Sequence, residues 1–193
     1  MLSLVVSEKV VEADLAAGRL CCPCCDGPLA RWGYARERQI RTRAGERTLR
    51  PRRAHCPRCG QTHVLLPAWS VPRRRDSTEL IGAALLAKAQ GHGHRTIAVE
   101  LGRPASTVRG WLRAFARRAT RVASAARLWT HALDASQERA VETGSALSDA
   151  VEALGVATRE ARLRLGIRAG PWELAVALSG GLLVGDPSRP PGY

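Results

Sequence analysis

Two short stretches hold all six cysteines of the chain: Cys21-Cys22-Pro23-Cys24-Cys25-Asp26-Gly27 and Cys56-Pro57-Arg58-Cys59-Gly60. Thiols at this density form disulfides, hold a metal or act as nucleophiles. The opening MLSLVV lacks the basic segment and long apolar run of a secretory signal. The chain is therefore expected in the cytoplasm, where thiols stay reduced and metal ligation comes before disulfides. The second cluster has the form C-P-x-C-G. The first offers two pairs with the same two-residue gap, Cys21 with Cys24 and Cys22 with Cys25. Cys22-Pro23-Cys24-Cys25-Asp26-Gly27 repeats the second cluster with one residue inserted before the glycine, which selects the latter pair. In such a knuckle the turn points backbone N–H groups at sulfur, and a small residue after the second cysteine lets the chain leave the metal. The predicted ligands of one structural zinc ion are therefore Cys22, Cys25, Cys56 and Cys59. A closed shell of four sulfurs leaves no coordination position for water or substrate, so no catalytic residue is assigned. Cys21 and Cys24 are left over, read as small residues beside the site, with exchange onto a ligand as the redox alternative. His55 and His63 adjoin the second cluster as substitute ligands.

The ligand pairs must be held by something between them. From Leu29 to His55 helical periodicity is absent, and LARWGYARERQI and RTLRPRRAHC alternate roughly about RTRAGE, which predicts a β-hairpin with Gly45 in the turn. QTHVLLPAW supplies a third strand. Trp32 and Tyr34 on one strand face are expected to form the small core of this ribbon rather than a base-stacking platform. Too few apolar residues are present for it to fold alone, whereas metal binding in small finger peptides contributes on the order of 10–16 kcal/mol. Residues 4 to 17 carry apolar positions at helical spacing up to Gly18, predicting a short N-terminal helix. The expected organisation is mainly α with a small β zinc ribbon: N-terminal helix 1–18, zinc ribbon 19–66, linker 67–76, trihelical domain 77–118, helical tail 119–180 and a disordered C-terminus 181–193.

Charge is distributed unevenly. The net charge is +13, but residues 1–121 carry 23 Lys+Arg against 9 Asp+Glu, and the remainder 7 against 8. A basic part and a neutral tail point to a polyanionic partner for the former, most simply double-stranded DNA. Arg outnumbers Lys 28 to 2, as GC-rich coding would produce, but that bias does not explain why the excess stops near residue 121. On the ribbon, Arg36 and Arg38, or Arg50 and Arg52, alternate so as to line one strand face, either as groove contacts or as a solvated basic surface. The longest late apolar run, Ala175–Val184, is too short for a membrane span, so no membrane partner is expected.

HRTIAVELGRPASTVRGWLRAFARR carries the second motif. Laid on a helix-turn-helix, Arg95–Leu101 is the first helix, Gly102-Arg103-Pro104 the turn and Ala105 to about Arg117 the second. Ile97 and Leu101 then face the core, Ala98 is small where the helices cross, Gly102 takes a left-handed conformation, and Val108, Trp111 and Leu112 form the inner face. Outward lie Ala105, Ser106, Arg109, Gly110 and Arg113, small near the N-terminus and basic beyond, as a helix entering the major groove requires. Ser106, Arg109 and Arg113 are the candidates for base edges or phosphates, with Arg95 and Arg103 nearby. An upstream helix from Ser77 to Gln90 completes three helices, and Arg73, Arg74 and Arg75 precede it as a basic arm or phosphate-contacting linker. His92 and His94 are read as loop residues.

The C-P-x-C-G ribbon, PRRAHCPRCGQTHVLLP and IAVELGRPASTVRGWLRAFARR together resemble the zinc-ribbon plus helix-turn-helix proteins common in actinobacteria, which are similar to the DNA-recognition halves of insertion-sequence transposases. PWELAVALSGG at 171–181 fits the same group. The resemblance implies sequence-directed DNA binding and association with mobile elements, as a regulator, an accessory factor, or a recognition subunit or remnant serving a separately encoded transposase. It does not extend to catalysis. Asp134, Glu138, Asp149 and Glu152 lie in Ala-rich helical sequence, without the strands that present a nuclease triad. A zinc or thiol adaptor that releases a protein partner on oxidation is the competing class. In the tail, Val122, Ala126, Trp129 and Leu133, then Leu147, Val151 and Leu154, form stripes suited to packing within the chain or to a homodimer, with breaks expected at Gly144 and Gly155.

Overall fold

The computed structural model describes residues 2–6, 10–136, 144–179 and 183. Strand β1 spans Leu2–Val6 and helix α1 Val11–Ala16. The continuous helix expected over 4–17 is thus a strand followed by a shorter helix. Val5 and Val6 are β-branched, and β1 finds a partner far away in sequence, pairing in parallel with β6 (Thr62–Pro67). Between them the ribbon takes shape. β2 (Ala30–Tyr34) pairs antiparallel with β5 (Arg52–His55), and β5 with β6, giving the sheet order β1-β6-β5-β2. β3 (Arg38–Thr42) and β4 (Gly45–Leu49) form a second, two-stranded sheet. The single hairpin read from the sequence is therefore one chain excursion split between two sheets, with a register shift between Arg31 and Tyr34 where Gly33 takes φ +76°.

That split relocates the ribbon's core. Trp32 and Tyr34, expected inside, are 53% and 49% exposed. The inner positions go to Leu29, Ala54 and Leu65, and α1 closes over them with Val11 and Leu15, so the aromatics are displaced to the outer face. There Trp32 lies against the His55 ring at 4.9 Å, and Tyr34 lies under the guanidinium groups of Arg50 and Arg52. A separate cluster of Ile40, Leu49 and Leu66 seats the β3–β4 hairpin on β6.

Six helices build the rest: α2 (Thr78–Ala89), α3 (His94–Glu100), α4 (Ala105–Ala116), α5 (Ala119–Leu133), α6 (Ala146–Leu165) and α7 (Pro171–Leu178). Ser77 caps α2, its Oγ accepting the Leu80 N–H at 3.2 Å. α2 is central, with Leu80, Ile81, Ala84, Leu85 and Ala87 all buried. α4 is amphipathic and buries Val108, Trp111, Leu112 and Phe115. His94 opens α3 rather than lying in a loop, and Gly102 turns the chain between α3 and α4 at φ +59°.

Trp172 of α7 lies directly over Gly82 of α2. A Cβ at that glycine would stand 2.1 Å from the indole Cδ2. The tail stripe is used inside the chain: Val122, Ala126, Val151 and Leu154 join the same core as α2 and α4, while Trp129 stays 44% exposed. Gly155 does not break α6, which runs through it with its open side to solvent. Gly144, at φ +80°, precedes the Ser145 cap of α6. Arg164 in the last turn of α6 pairs with Asp134 at the end of α5, tying the C-terminal ends of the two helices. Apart from Leu183, which is buried, the expected disordered segment 181–193 lies outside the described residues, as does Glu138.

The residues between ribbon and helices are pinned at both ends. Ser70 and Val71 are buried, and Arg41 and Asp76 form a bridge in which the Arg41 N–H donates to Arg75 O at 2.7 Å and the Ser77 N–H to Arg41 O at 2.8 Å. The Asp76 carboxylate is itself buried. Arg41 Nε lies 3.0 Å from Oδ1, at an angle too bent for a hydrogen bond, while its Nη2 donates to Oδ2 at 3.3 Å, and Arg103 Nη1 stands 3.9 Å away. The hairpin, the basic run and the turn before α4 thus meet at one carboxylate.

Candidate functional site

The four sulfurs of Cys22, Cys25, Cys56 and Cys59 converge within 4.8 Å of one another. Cys22 Sγ is 3.6 Å from Cys59 Sγ, and Cys25 Sγ 3.5 Å from Cys56 Sγ. A tetrahedron with metal–sulfur bonds of about 2.3 Å has edges of about 3.8 Å, so the donor set fits a four-coordinate thiophilic metal without rearrangement. All six cysteines are free thiols. Two knuckles of the same design present the ligands. The Cys22 N–H donates to Gly27 O and the Cys56 N–H to Gln61 O, each at 2.8 Å, while the Asp26 and Gly60 N–H groups close the turns onto Cys22 O and Cys56 O. Asp26 and Gly60 both have positive φ, 55° and 72°. Asp tolerates that region better than most side chains, so Asp26 takes the place of Gly60; the residue read from the sequence as an insertion is a substitution at the glycine position, and the two knuckles are equal in length.

Backbone dipoles are aimed at the sulfurs. Burial pushes the Cys56 thiol up, but N–H bonds from Cys59 and Arg58 and the contact with Cys25 more than offset it, and the thiol falls to about 7. Cys59 accepts from the Gln61 N–H, yet burial and the neighbouring thiols raise it to about 12. Without a cation the four cannot all ionise; a divalent metal removes that conflict, leaving a site of net charge −2. Arg58 supplies part of the compensation, crossing to the other knuckle to donate from Nη1 to Cys25 O at 3.0 Å. The crossing leaves no room at Gly27, where a Cβ would stand 3.1 Å from Arg58 Cβ and 3.5 Å from Cys25 Sγ.

His63 is fully buried on β6 with Nε2 3.4 Å from Cys22 Sγ. It therefore adjoins the cluster as a hydrogen-bond partner of one ligand; burial pulls its pKa down. Together with Cys22 and Cys24 it forms a second, three-membered convergent set. Cys21 belongs to neither set and is exposed, as is Cys24, whose N–H points at Cys22 Sγ at 3.5 Å. His55 stacks on Trp32 and joins no set.

The candidate DNA-contacting residues are scattered by the fold into three environments. Ser106, Arg109 and Arg113 are exposed along one side of α4 together with Gly110, and no hydrogen bond or ion pair ties their side chains to any described residue. Ala105, expected on that side, is partly covered by the helical core. Arg95 is exposed in the first turn of α3. Arg103 is drawn inward to Asp76, with its side chain only 22% exposed, because the buried carboxylate needs cationic neighbours.

Arg73, Arg74 and Arg75 are exposed but fixed in a turn in which Arg73 holds φ +60°. On the ribbon, Arg36 and Arg50 are exposed, whereas Arg52 is held by Glu12 at 2.7 Å and by Gly33 O, and Arg38 is half-buried. Sequence reasoning missed these tethers because Glu12, Asp76 and Gly33 approach through tertiary contacts that local spacing does not encode. Among the described residues the convergent metal-ligating groups contain only Cys and His, and Asp134, Asp149 and Glu152 are in none of them.

Comparison with known proteins adds one likeness. A family model described as a domain of unknown function (DUF6431) matches residues 22–111, from the first ligand of the predicted set to Trp111 of α4. The matched segment runs from the first knuckle through β2–β6, α2 and α3 into the first half of α4. No curated protein and no solved structure matches the chain.

Proposed function

We propose that this chain is a DNA-binding protein in which α2, α3 and α4 form a helix-turn-helix unit and a zinc-held ribbon sits beside it. The observation that carries the reading is the two-sided character of α4. Val108, Trp111, Leu112 and Phe115 are buried, while Ser106, Arg109 and Arg113 stand on the opposite side with no internal partner. Exposed arginines without counter-ions cost little in water and are available to phosphates and guanine edges. The left-handed Gly102 and the small Ala98 buried beneath the turn supply what the crossing of two short helices demands. Zinc suits the four-sulfur set by ligand type and edge length, and with no open position its role is to fold the ribbon.

The Asp76 junction gives this reading its geometry, since it fixes the ribbon and the Arg73–Arg75 turn against the start of α4. Arg103 serves this junction rather than a groove. On this reading the chain acts as a regulator or as an accessory or recognition factor of a mobile element, with any nuclease supplied by another chain. Fluorescence anisotropy of the zinc-loaded chain on random-sequence duplex between 50 and 200 mM salt tests it: with several phosphate contacts, affinity should fall by roughly 10³-fold or more. Absence of any duplex complex at the lowest salt would end the proposal.

One observation favours a second reading. Cys24 is exposed, sits against Cys22 and shares a convergent set with it and His63, so a thiol adjacent to a ligand is positioned for exchange. A redox-sensing adaptor would lose its metal on mild peroxide treatment in a manner abolished by Cys24→Ser; a purely structural site would lose it at the same rate in both proteins.

A further inference from the structure

The ribbon and the Arg73–Arg75 turn face each other across an open cleft of about 750 Å³. Val64 and Leu66 of β6 and Pro51 give it an apolar floor, and Arg36, Arg73, Arg74 and Arg75 stand around it. The residue that sets this cleft apart is Arg38 of β3. Its Nε and Nη2 are shielded from solvent and have no hydrogen-bond partner. Most other arginines of the ribbon have a partner: Arg41 has Asp76, Arg31 and Arg52 have Glu12, Arg47 the face of Trp69, and Arg58 Cys25 O; Arg53 also has a shielded, unmatched Nε, but only one such nitrogen and no place in the cleft lining. Among the described residues Glu37 is the only acidic one lining the cleft, and it is exposed and unpaired with Arg38.

A half-buried guanidinium with two shielded and unmatched nitrogens is a costly arrangement that a fold retains when something else supplies the acceptors. Burial alone already pulls the Arg38 pKa below its ordinary value. The opposite wall is equally deliberate. Arg73 holds φ +60°, a conformation unfavourable for a long side chain, and the turn is locked by Arg74 N–H to Val71 O at 3.2 Å and by Arg41 N–H to Arg75 O at 2.7 Å. Five arginines and one carboxylate call for an anion with more than one negative charge and several acceptor oxygens. Planar forked donors pair bidentately with carboxylate and phosphoryl oxygens alike; the number of arginines is what favours the phosphoryl group, which carries more charge and more acceptor oxygens than a carboxylate or halide.

We propose that this cleft is a phosphate-group site, with the half-buried fork of Arg38 as its inner donor and the fixed Arg73–Arg75 turn as its outer clamp. The inference does not rest on α4 reading DNA, because the isolation of Arg38 holds whatever the partner is. The phosphoryl group has two sources, a backbone phosphate of nucleic acid or the terminal phosphates of a free phosphorylated ligand.

The test uses the full metal-loaded chain and its Arg38→Gln, Arg38→Lys and Arg74→Gln variants, with Arg162→Ala, exposed on α6, as a control outside the cleft. Inorganic tripolyphosphate is titrated by calorimetry at constant ionic strength, and a 20-base-pair duplex by anisotropy. Tripolyphosphate should bind one per chain, about tenfold weaker in Arg38→Gln for the loss of a charge-assisted bidentate pair, intermediate in Arg38→Lys and Arg74→Gln, and unchanged in Arg162→Ala. An arginine retained only for structure would lower the melting temperature when replaced; relieving an unmatched half-buried cation should leave it level or raise it. If duplex affinity falls together with tripolyphosphate affinity in Arg38→Gln, the source is nucleic-acid backbone. If only tripolyphosphate affinity falls, the source is a free phosphorylated ligand. Equal binding of both probes by wild type and Arg38→Gln, or no tripolyphosphate binding by wild type together with a duplex affinity indifferent to Arg38, would overturn the proposal. The tripolyphosphate arm involves no DNA, so failure of the DNA-binding reading leaves it standing.

Discussion

Replacing Gly82 by alanine should have opposite effects depending on one distant side chain. In an ordinary helix interior the change gains about 1 kcal/mol, because glycine gives up more backbone entropy than alanine on folding. At Gly82 the new Cβ would lie 2.1 Å from Trp172 Cδ2 and 2.3 Å from Cε2. To regain van der Waals separation the indole must retreat by about 1.5 Å. It caps α7 on the central helix, so the retreat carries α7 with it. Overpacking of this kind costs about 1–3 kcal/mol, which outweighs the helix gain and leaves a net loss of about 1 kcal/mol. For a chain of this size that lowers the melting temperature by about 2–4 °C. In a Trp172→Ala background the obstruction is gone, and Gly82→Ala should stabilise by about 0.5–1 kcal/mol. The assay is a double-mutant cycle by urea denaturation of the metal-loaded chain, followed by far-UV circular dichroism. Stabilisation by Gly82→Ala in the wild-type background would refute the packing of α7 on α2.

Other consequences concern the metal centre and the junction. Cys21→Ser and Cys24→Ser should each retain one metal per chain by elemental analysis, whereas serine at Cys22, Cys25, Cys56 or Cys59 should lose it. Gly27→Ala, which forces Arg58 off the first knuckle, should weaken the metal by about tenfold in chelator competition, the scale of outer contacts to a metal site. Chelation should unfold the ribbon but spare most of the helical dichroism, because the helical core contains no cysteine. Asp76→Asn should destabilise by about 2 kcal/mol through loss of the charged partner of Arg41 and Arg103, and should weaken duplex binding more than its stability cost explains if the junction sets the ribbon against α4.

Where chemistry repeats locally, the sequence was legible. The two C-P-x-C-like turns specify their own partners, since each knuckle's hydrogen bonds close within six residues, and the choice of Cys22 and Cys25 over Cys21 and Cys24 follows from the repeated turn. The apolar spacing of Val108, Trp111 and Leu112 likewise marks the buried side of α4. What escaped was tertiary. β1 exists because β6 offers an edge some sixty residues away, and two β-branched valines in LSLVV are too weak a local sign to reveal it. Trp32 and Tyr34 alternate like core residues, yet α1 takes the inner face. Arg52, Arg103 and Arg38 look alike in sequence and end as an ion-paired strut, a carboxylate's neighbour and an unmatched cation, because the acidic residues that sort them come from elsewhere in the chain.

Selection of bound sequences from a random duplex library, run in parallel with the zinc-loaded wild type and with Arg109→Ala, tests the central claim most directly. Wild type should enrich a short defined motif, and Arg109→Ala should lose preference at one position within it while keeping the rest. Recovery of unenriched sequence by the wild type, or of the same motif at the same strength by both proteins, would contradict a reading role for α4.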